Sequence, residues 1–191
     1  MGNKDKRAKI MDATVSIVAE YGFHGAFMEK ISDTAGVGAG TIYRYFESKD
    51  HLVQQTYRKL ERRCLVEVMK DYPAHTSIRQ RFSHLAQRLI WHCLLFPAEF
   101  LFMDQFHSSP YRKTCIPEEP PAAELCSVVD LFREGTEKKL FRDMPPDMLL
   151  AVACGPVIQA MRLNAAGRML NDDRIARIVE SCWGAVFWDK A

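Results

Sequence analysis

The chain has 191 residues, about half hydrophobic and a quarter charged, a balance that excludes a low-complexity, collagen-like or intrinsically disordered polymer. Its 26 Lys and Arg nearly offset 24 Asp and Glu, leaving a formal charge of +2, so global electrostatics identify no acidic partner and a nucleic-acid role has to rest on local chemistry. The apolar runs at 89–96 and 149–158 are shorter than the roughly 18 residues of a membrane span. The segment holding Lys4, Lys6, Arg7 and Lys9 also lacks the apolar core of a secretory signal, so a cytoplasmic protein without a membrane partner is expected.

Apolar residues recur at helical spacing along nearly the whole chain, and no alternating strand pattern bounded by hairpin turns appears. An all-α fold of about nine helices follows. Ile10, Ala13, Thr14, Ile17, Val18 and Tyr21 form the stripe of the first helix, which Gly22 ends. Met28, Ile31 and Ala35 mark a short second helix, Gly36-Val37-Gly38 a tight turn, and 39–46 a third helix. Ser48 is placed to cap a long fourth helix that runs to Met69. The fifth spans 77–96 and the sixth 97–107. Residues 108–121, with four prolines, read as an irregular connection. The seventh covers 122–140. The eighth opens at Pro145-Pro146-Asp147 and runs to about Leu170, with a kink expected at Gly155-Pro156, and Asn171 caps the ninth. Six cysteines without a Cys-x-x-Cys pair match neither a zinc ribbon nor a disulfide scaffold. No metal, cofactor or catalytic residue is assigned.

The second helix, glycine turn and third helix have the spacing of a helix-turn-helix, whose last helix enters the major groove. Ala39 and Gly40 are small enough for close approach to bases, and Thr41, Tyr43, Arg44 and Tyr45 supply hydroxyl or guanidinium donors. Ile42 and Phe46 are expected to face the core. Lys49, in the first turn of the fourth helix, makes a phosphate site with the exposed N–H groups there. The basic segment before the first helix is read as an arm that follows the DNA backbone.

Ala35-Gly36-Val37, then Gly40-Thr41-Ile42-Tyr43-Arg44-Tyr45-Phe46, then Ser48-Lys49, resemble the DNA-binding signature of TetR-family transcriptional regulators. The match extends over about 6–53. It implies a helix-turn-helix DNA-binding domain at 1–50 and a helical ligand-binding and dimerisation domain at 51–191. It also implies phosphate contacts from Thr41, Tyr43, Tyr45 and Lys49, and base reading near Ala39, Gly40 and Arg44. The second helix departs from the family pattern, since Ala26-Phe27 stand where a hydroxyl is usual.

A homodimer paired through the last two long helices follows from the resemblance. Ile175, Ile178, Val179, Cys182, Trp183 and Val186 are the stripe expected at that interface. Trp91, Phe96, Phe100, Met103 and Phe106, with His107 and Arg162 as polar anchors, are expected to line a pocket for a small apolar or aromatic effector. The resulting picture is a ligand-responsive repressor on a palindromic double-stranded operator. Two other classes fit the composition: a dimeric small-molecule carrier without DNA affinity, and a Cys/His-dependent helical enzyme, for which no local signature is present.

Overall fold

The computed structural model describes residues 3–115 and 122–188, and among these the chain is built from ten α-helices and contains no strand. They are α1 (Asn3–Gly25), α2 (Met28–Ala35), α3 (Ala39–Tyr43), α4 (Lys49–Met69), α5 (Ile78–Leu95), α6 (Pro97–His107), α7 (Tyr111–Thr114), α8 (Ala123–Glu137), α9 (Pro146–Ala165) and α10 (Asp172–Val186). The helix beyond the expected nine is α7, one turn inside the proline-rich connection; Pro110 precedes it as its N-cap, where a missing N–H costs nothing. The rest of that connection, 116–121, lies outside the described residues. The basic segment is not a separate arm, since α1 is helical from Asn3 onward.

The chain divides into two compact units, Met1–Arg62 with Phe96–Ile116, and Arg63–Leu95 with Pro117–Ala191. In the first, α1 loses helical dihedrals at Gly22 (φ 70°, ψ 173°), and its stripe of Ile10, Ala13, Thr14, Ile17 and Val18 is buried. Phe102 and Phe106 of α6, both fully buried, complete the same core: Phe106 stacks on Tyr57 with centroids 4.0 Å apart, and Phe23 meets Phe102 edge-on at 5.3 Å. Two ties fasten α1 to α4. The Arg7 guanidinium donates to Gln55 Oε1 at 3.1 Å, and the Lys59 ammonium lies 2.7 Å from an Asp12 carboxylate oxygen.

In the second unit α5, α8, α9 and α10 surround a core in which Phe82, Phe132, Phe141 and Trp183 meet with centroids 5.4 to 6.1 Å apart. Phe141 enters it from the loop after α8, held by the backbone bonds Arg142 N to Val186 O and Trp188 N to Leu140 O, both 2.9 Å. Its ring lies so close to Gly135 that a Cβ there would stand 2.1 Å from Phe141 Cδ2. Helix α9 passes through Gly155-Pro156 as one helix. It ends at Ala165, earlier than its sequence pattern, because Gly167 turns the chain at φ 86°.

The stripe of α10 is not a free face. Ile175, Val179, Cys182, Trp183 and Val186 are buried within the chain, against α9 and α5, and only Ile178 of that set is half-exposed. An uncovered apolar surface lies on α9. There Met148, Ala151, Val152, Gly155, Ile158, Gln159, Arg162 and Leu163 are exposed, and the 3.6-residue repeat puts them on one side, opposite buried Leu149, Ala153, Val157 and Met161. By composition α9 is also long and apolar enough to cross a membrane, with a mean hydropathy of 1.4 over 18 residues.

Gly135→Ala is expected to lower stability by about 1 to 3 kcal/mol, the usual cost of overpacking, as measured by urea unfolding. An unchanged midpoint would mean that Phe141 is not held against α8.

Candidate nucleic-acid interface and effector pocket

The turn before α3 uses the left-handed backbone of one glycine. Gly36 has φ 64° and ψ 38°, and its N–H and that of Val37 donate to Asp33 O and Ser32 O at 3.1 and 3.0 Å, satisfying the last carbonyls of α2. Gly38 is extended and serves as the N-cap of α3. Helix α3 is a single turn plus one residue, shorter than the 39–46 of the sequence pattern. Its end tightens to three-residue bonds, Arg44 N to Thr41 O at 3.2 Å and Tyr45 N to Ile42 O at 2.9 Å.

Ile42 and Phe46 are buried, and this orients the rest of the segment. Ala39, Gly40, Tyr43 and Arg44 are exposed together, Tyr43 at 56%. Thr41 and Tyr45 are half-buried, and Tyr45 packs against the core of the first unit. Ser48 Oγ accepts from His51 N at 3.0 Å and so caps α4. Lys49 is half-buried; its ammonium donates to Phe23 O at 2.7 Å, joining the end of α1 to the start of α4. Burial lowers the Lys49 pKa and the neighbouring Asp50 charge partly offsets this. A lysine Nζ carries three donors, so one bond to a carbonyl leaves capacity for a phosphate.

At α2 the departure noted in the sequence has a visible consequence. Ala26 is fully buried, whereas Phe27 is 61% exposed and occupies the N-cap with φ −76° and ψ 146°, giving the helix no side-chain cap bond.

The residues expected to line an effector pocket belong to both units. Phe106 belongs to the core of the first unit, Met103 packs against that core, and Phe96 and Phe100 are half-buried. His107 is exposed beside the Tyr57 ring at 5.6 Å. In the second unit, Trp91 is exposed on α5 and Arg162 lies on the exposed face of α9. None of the seven borders the apolar pocket of that unit, which has a volume of about 180 Å³. Its walls come from the end of α4 (Cys64, Leu65, Val68) and from α5, α8 and α9, and every lining residue is aliphatic, aromatic or a cysteine. In the sequence these residues were indistinguishable from ordinary helical core stripes. Burial pushes the Cys154 thiol up to about 11, and burial with the neighbouring Cys64 and Cys154 pushes Cys93 up to about 12. Both are therefore protonated at neutral pH, and no disulfide forms among the described residues.

Two family models together match nearly the whole chain. Residues 10–56 match the one described as bacterial regulatory proteins, tetR family, and 57–188 match the tetracyclin repressor-like C-terminal domain. Among curated relatives, the fatty acid metabolism regulator protein of Bacillus subtilis is 30% identical over 83 residues, covering 42% of this chain and 43% of that protein. The HTH-type transcriptional repressor KstR of Mycobacterium tuberculosis is 42% identical over 86 residues, 45% of this chain and 39% of its own. The chain thus spans about two fifths of the length of these relatives. A crystal structure of a TetR family transcription regulator from Marinobacter aquaeolei superposes with a TM-score of 0.83 at 20% identity, covering 97% of each chain.

The extended backbone of Phe27 already suits a hydroxyl cap. Phe27→Ser is expected to raise the unfolding free energy by about 0.5 to 1 kcal/mol, read from chemical denaturation; a loss instead would show that the ring contributes packing worth more than the cap.

Proposed function

The chain belongs to the TetR family of bacterial DNA-binding transcriptional regulators, and on that premise we propose that it is a cytoplasmic repressor that binds a palindromic operator as a homodimer and leaves it when a small apolar or aromatic effector binds. The observation that carries this reading is the outward presentation of Ala39, Gly40, Tyr43 and Arg44 from α3 and its C-cap, while Ile42 and, in the turn that follows, Phe46 are buried in the core. Small residues at the start of α3 let its backbone approach base edges. Arg44 offers the forked donor suited to guanine, while Thr41, Tyr43, Tyr45 and Lys49 supply phosphate contacts that set register. Residues 1–50 form the reading part, and 51–191 the effector and dimerisation part.

Dimerisation is supported by the exposed face of α9. An apolar stripe of Met148, Val152, Ile158 and Leu163 is a surface a second copy would cover, and exposed Ser181 and Gly184 of α10 are small enough for close helix approach. Gln159 and Arg162 share the α9 face, and its opposite side is core, which suits a protein partner better than lipid. Two α3 helices about 34 to 36 Å apart would then read half-sites one helical turn apart. An effector that favours another spacing weakens operator binding by a coupling of about 1 to 3 kcal/mol, roughly 5- to 150-fold.

Selection of bound duplexes from a random pool tests the reading: a palindrome is expected, and recovery of no preferred sequence would remove it. Arg44→Ala should weaken the selected operator by about 1 to 3 kcal/mol and relax preference at one base position. Lys49→Ala should weaken all duplexes alike and flatten the salt dependence. Ile158→Asp should convert the protein from dimer to monomer in sedimentation at micromolar concentration; a wild-type monomer there would refute the arrangement.

A further inference from the structure

A cleft of about 650 Å³ lies wholly within the first unit, between the end of α1, the start of α4 and the junction of α6 with α7. It opens because the chain turns at Gly22 and again at Pro110, which separates α6 from α7. Phe23 and Tyr111 form its apolar walls, with ring centroids 5.0 Å apart. Two donors from other helices hold α1 there: Lys49 Nζ donates to Phe23 O at 2.7 Å, and Gln105 Nε2 to Val18 O at 3.2 Å.

The charged part of the lining is balanced in sign, since Lys49 and Asp50 both border the cleft. Lys49 is half-buried and burial lowers its pKa. A carbonyl takes up one of its three donors and brings no charge, so a carboxylate would offset the desolvation that remains. With the ammonium bonded to that carbonyl, the exposed Asp50 carboxylate has no ion pair among the described residues. A ligand with one sign of charge would meet a like charge at one of the two groups. Consecutive residues, with Cα atoms about 3.8 Å apart, suit a ligand whose two opposite charges sit on one carbon.

We infer that this cleft binds a free α-amino acid with an apolar or aromatic side chain, its carboxylate on Lys49, its ammonium on Asp50 and its side chain against Phe23 and Tyr111. Apolar walls with a few polar groups to fix orientation are the usual make-up of a small-molecule site. The site is separate from the effector pocket of the second unit and takes a different chemical class. Its regulatory consequence rests on the DNA-binding reading: a carboxylate on Lys49 takes up donors otherwise open to a DNA phosphate, so the bound amino acid weakens the duplex complex.

The test is calorimetric titration of the full chain, without DNA, with L-phenylalanine. The controls are 3-phenylpropanoate, which lacks the ammonium, and 2-phenylethylamine, which lacks the carboxylate. Phenylalanine is expected to bind about tenfold or more tightly than either. Asp50→Asn should weaken phenylalanine by about tenfold or more and leave 3-phenylpropanoate unchanged, with the helical circular dichroism of the wild type retained. If that variant does not fold, Ser108→Trp replaces it: the position is exposed on the α6 side of the cleft, and the indole should abolish phenylalanine binding by narrowing the space. No binding of phenylalanine, equal affinity for either control, or undiminished binding in the folded variant would overturn the site. Saturating phenylalanine should also weaken duplex binding severalfold, and an unchanged duplex affinity would overturn the competition at Lys49. Because the titration needs no DNA, failure of the site and failure of the DNA-binding reading are told apart.

Discussion

A five-residue helix cannot hold itself together, because nucleating a helical turn costs more than so few hydrogen bonds return. The α3 segment therefore depends on the burial of Ile42 and Phe46. Those two side chains fix which way α3 faces, and the flanking devices fix where it begins and ends: the left-handed Gly36 before it, and Ser48 capping α4 after it. Arg7 adds a second hold on the same residue, lying 5.2 Å from the centre of the Phe46 ring while donating to Gln55. With the apolar side committed inward, Ala39, Gly40, Tyr43 and Arg44 have only the outside left.

The same economy of apolar surface explains the rest of the first unit. Phe102 and Phe106 on α6 are large enough to fill the space between α1 and α4, and Tyr57 and Phe23 receive them. Phe102 and Phe106 are thereby committed to the closed core of that unit. Lys49 has a comparable double position, since its bond to Phe23 O makes it part of the framework as well as a surface cation.

In the second unit, the aromatic cluster around Phe82, Phe132, Phe141 and Trp183 occupies the part of the core farther along α8, where Gly135 gives Phe141 its place. Beside it the helices leave a pocket walled only by hydrocarbon and thiols. Burial holds the Cys93, Cys154 and Cys182 thiols well above neutral pH. They act as apolar packing groups, and the low thiolate content works against ready oxidation.

Much was legible in the amino-acid order alone. Periodicity located the long helices, Gly36, Ser48 and Asn171 marked helix ends, and Ile42 with Phe46 separated the inner from the outer side of the segment that begins with α3, because capping and burial patterns are local. Asn171 illustrates this, with Oδ1 accepting from Arg174 N at 3.0 Å. What a stripe does not carry is the identity of the element that covers it. The α10 stripe of Ile175, Val179, Cys182, Trp183 and Val186 had the pattern of an interface, yet α9 and α5 of the same chain bury it and leave the α9 face open. Phe106 was expected in a pocket wall, and packing sends it to a closed core, whereas Val128 and Val157, which no expectation singled out, border a cavity. Helix formation is decided within a few turns of sequence, whereas the neighbour a face meets is decided by residues tens of positions away, and that choice belongs to the tertiary structure.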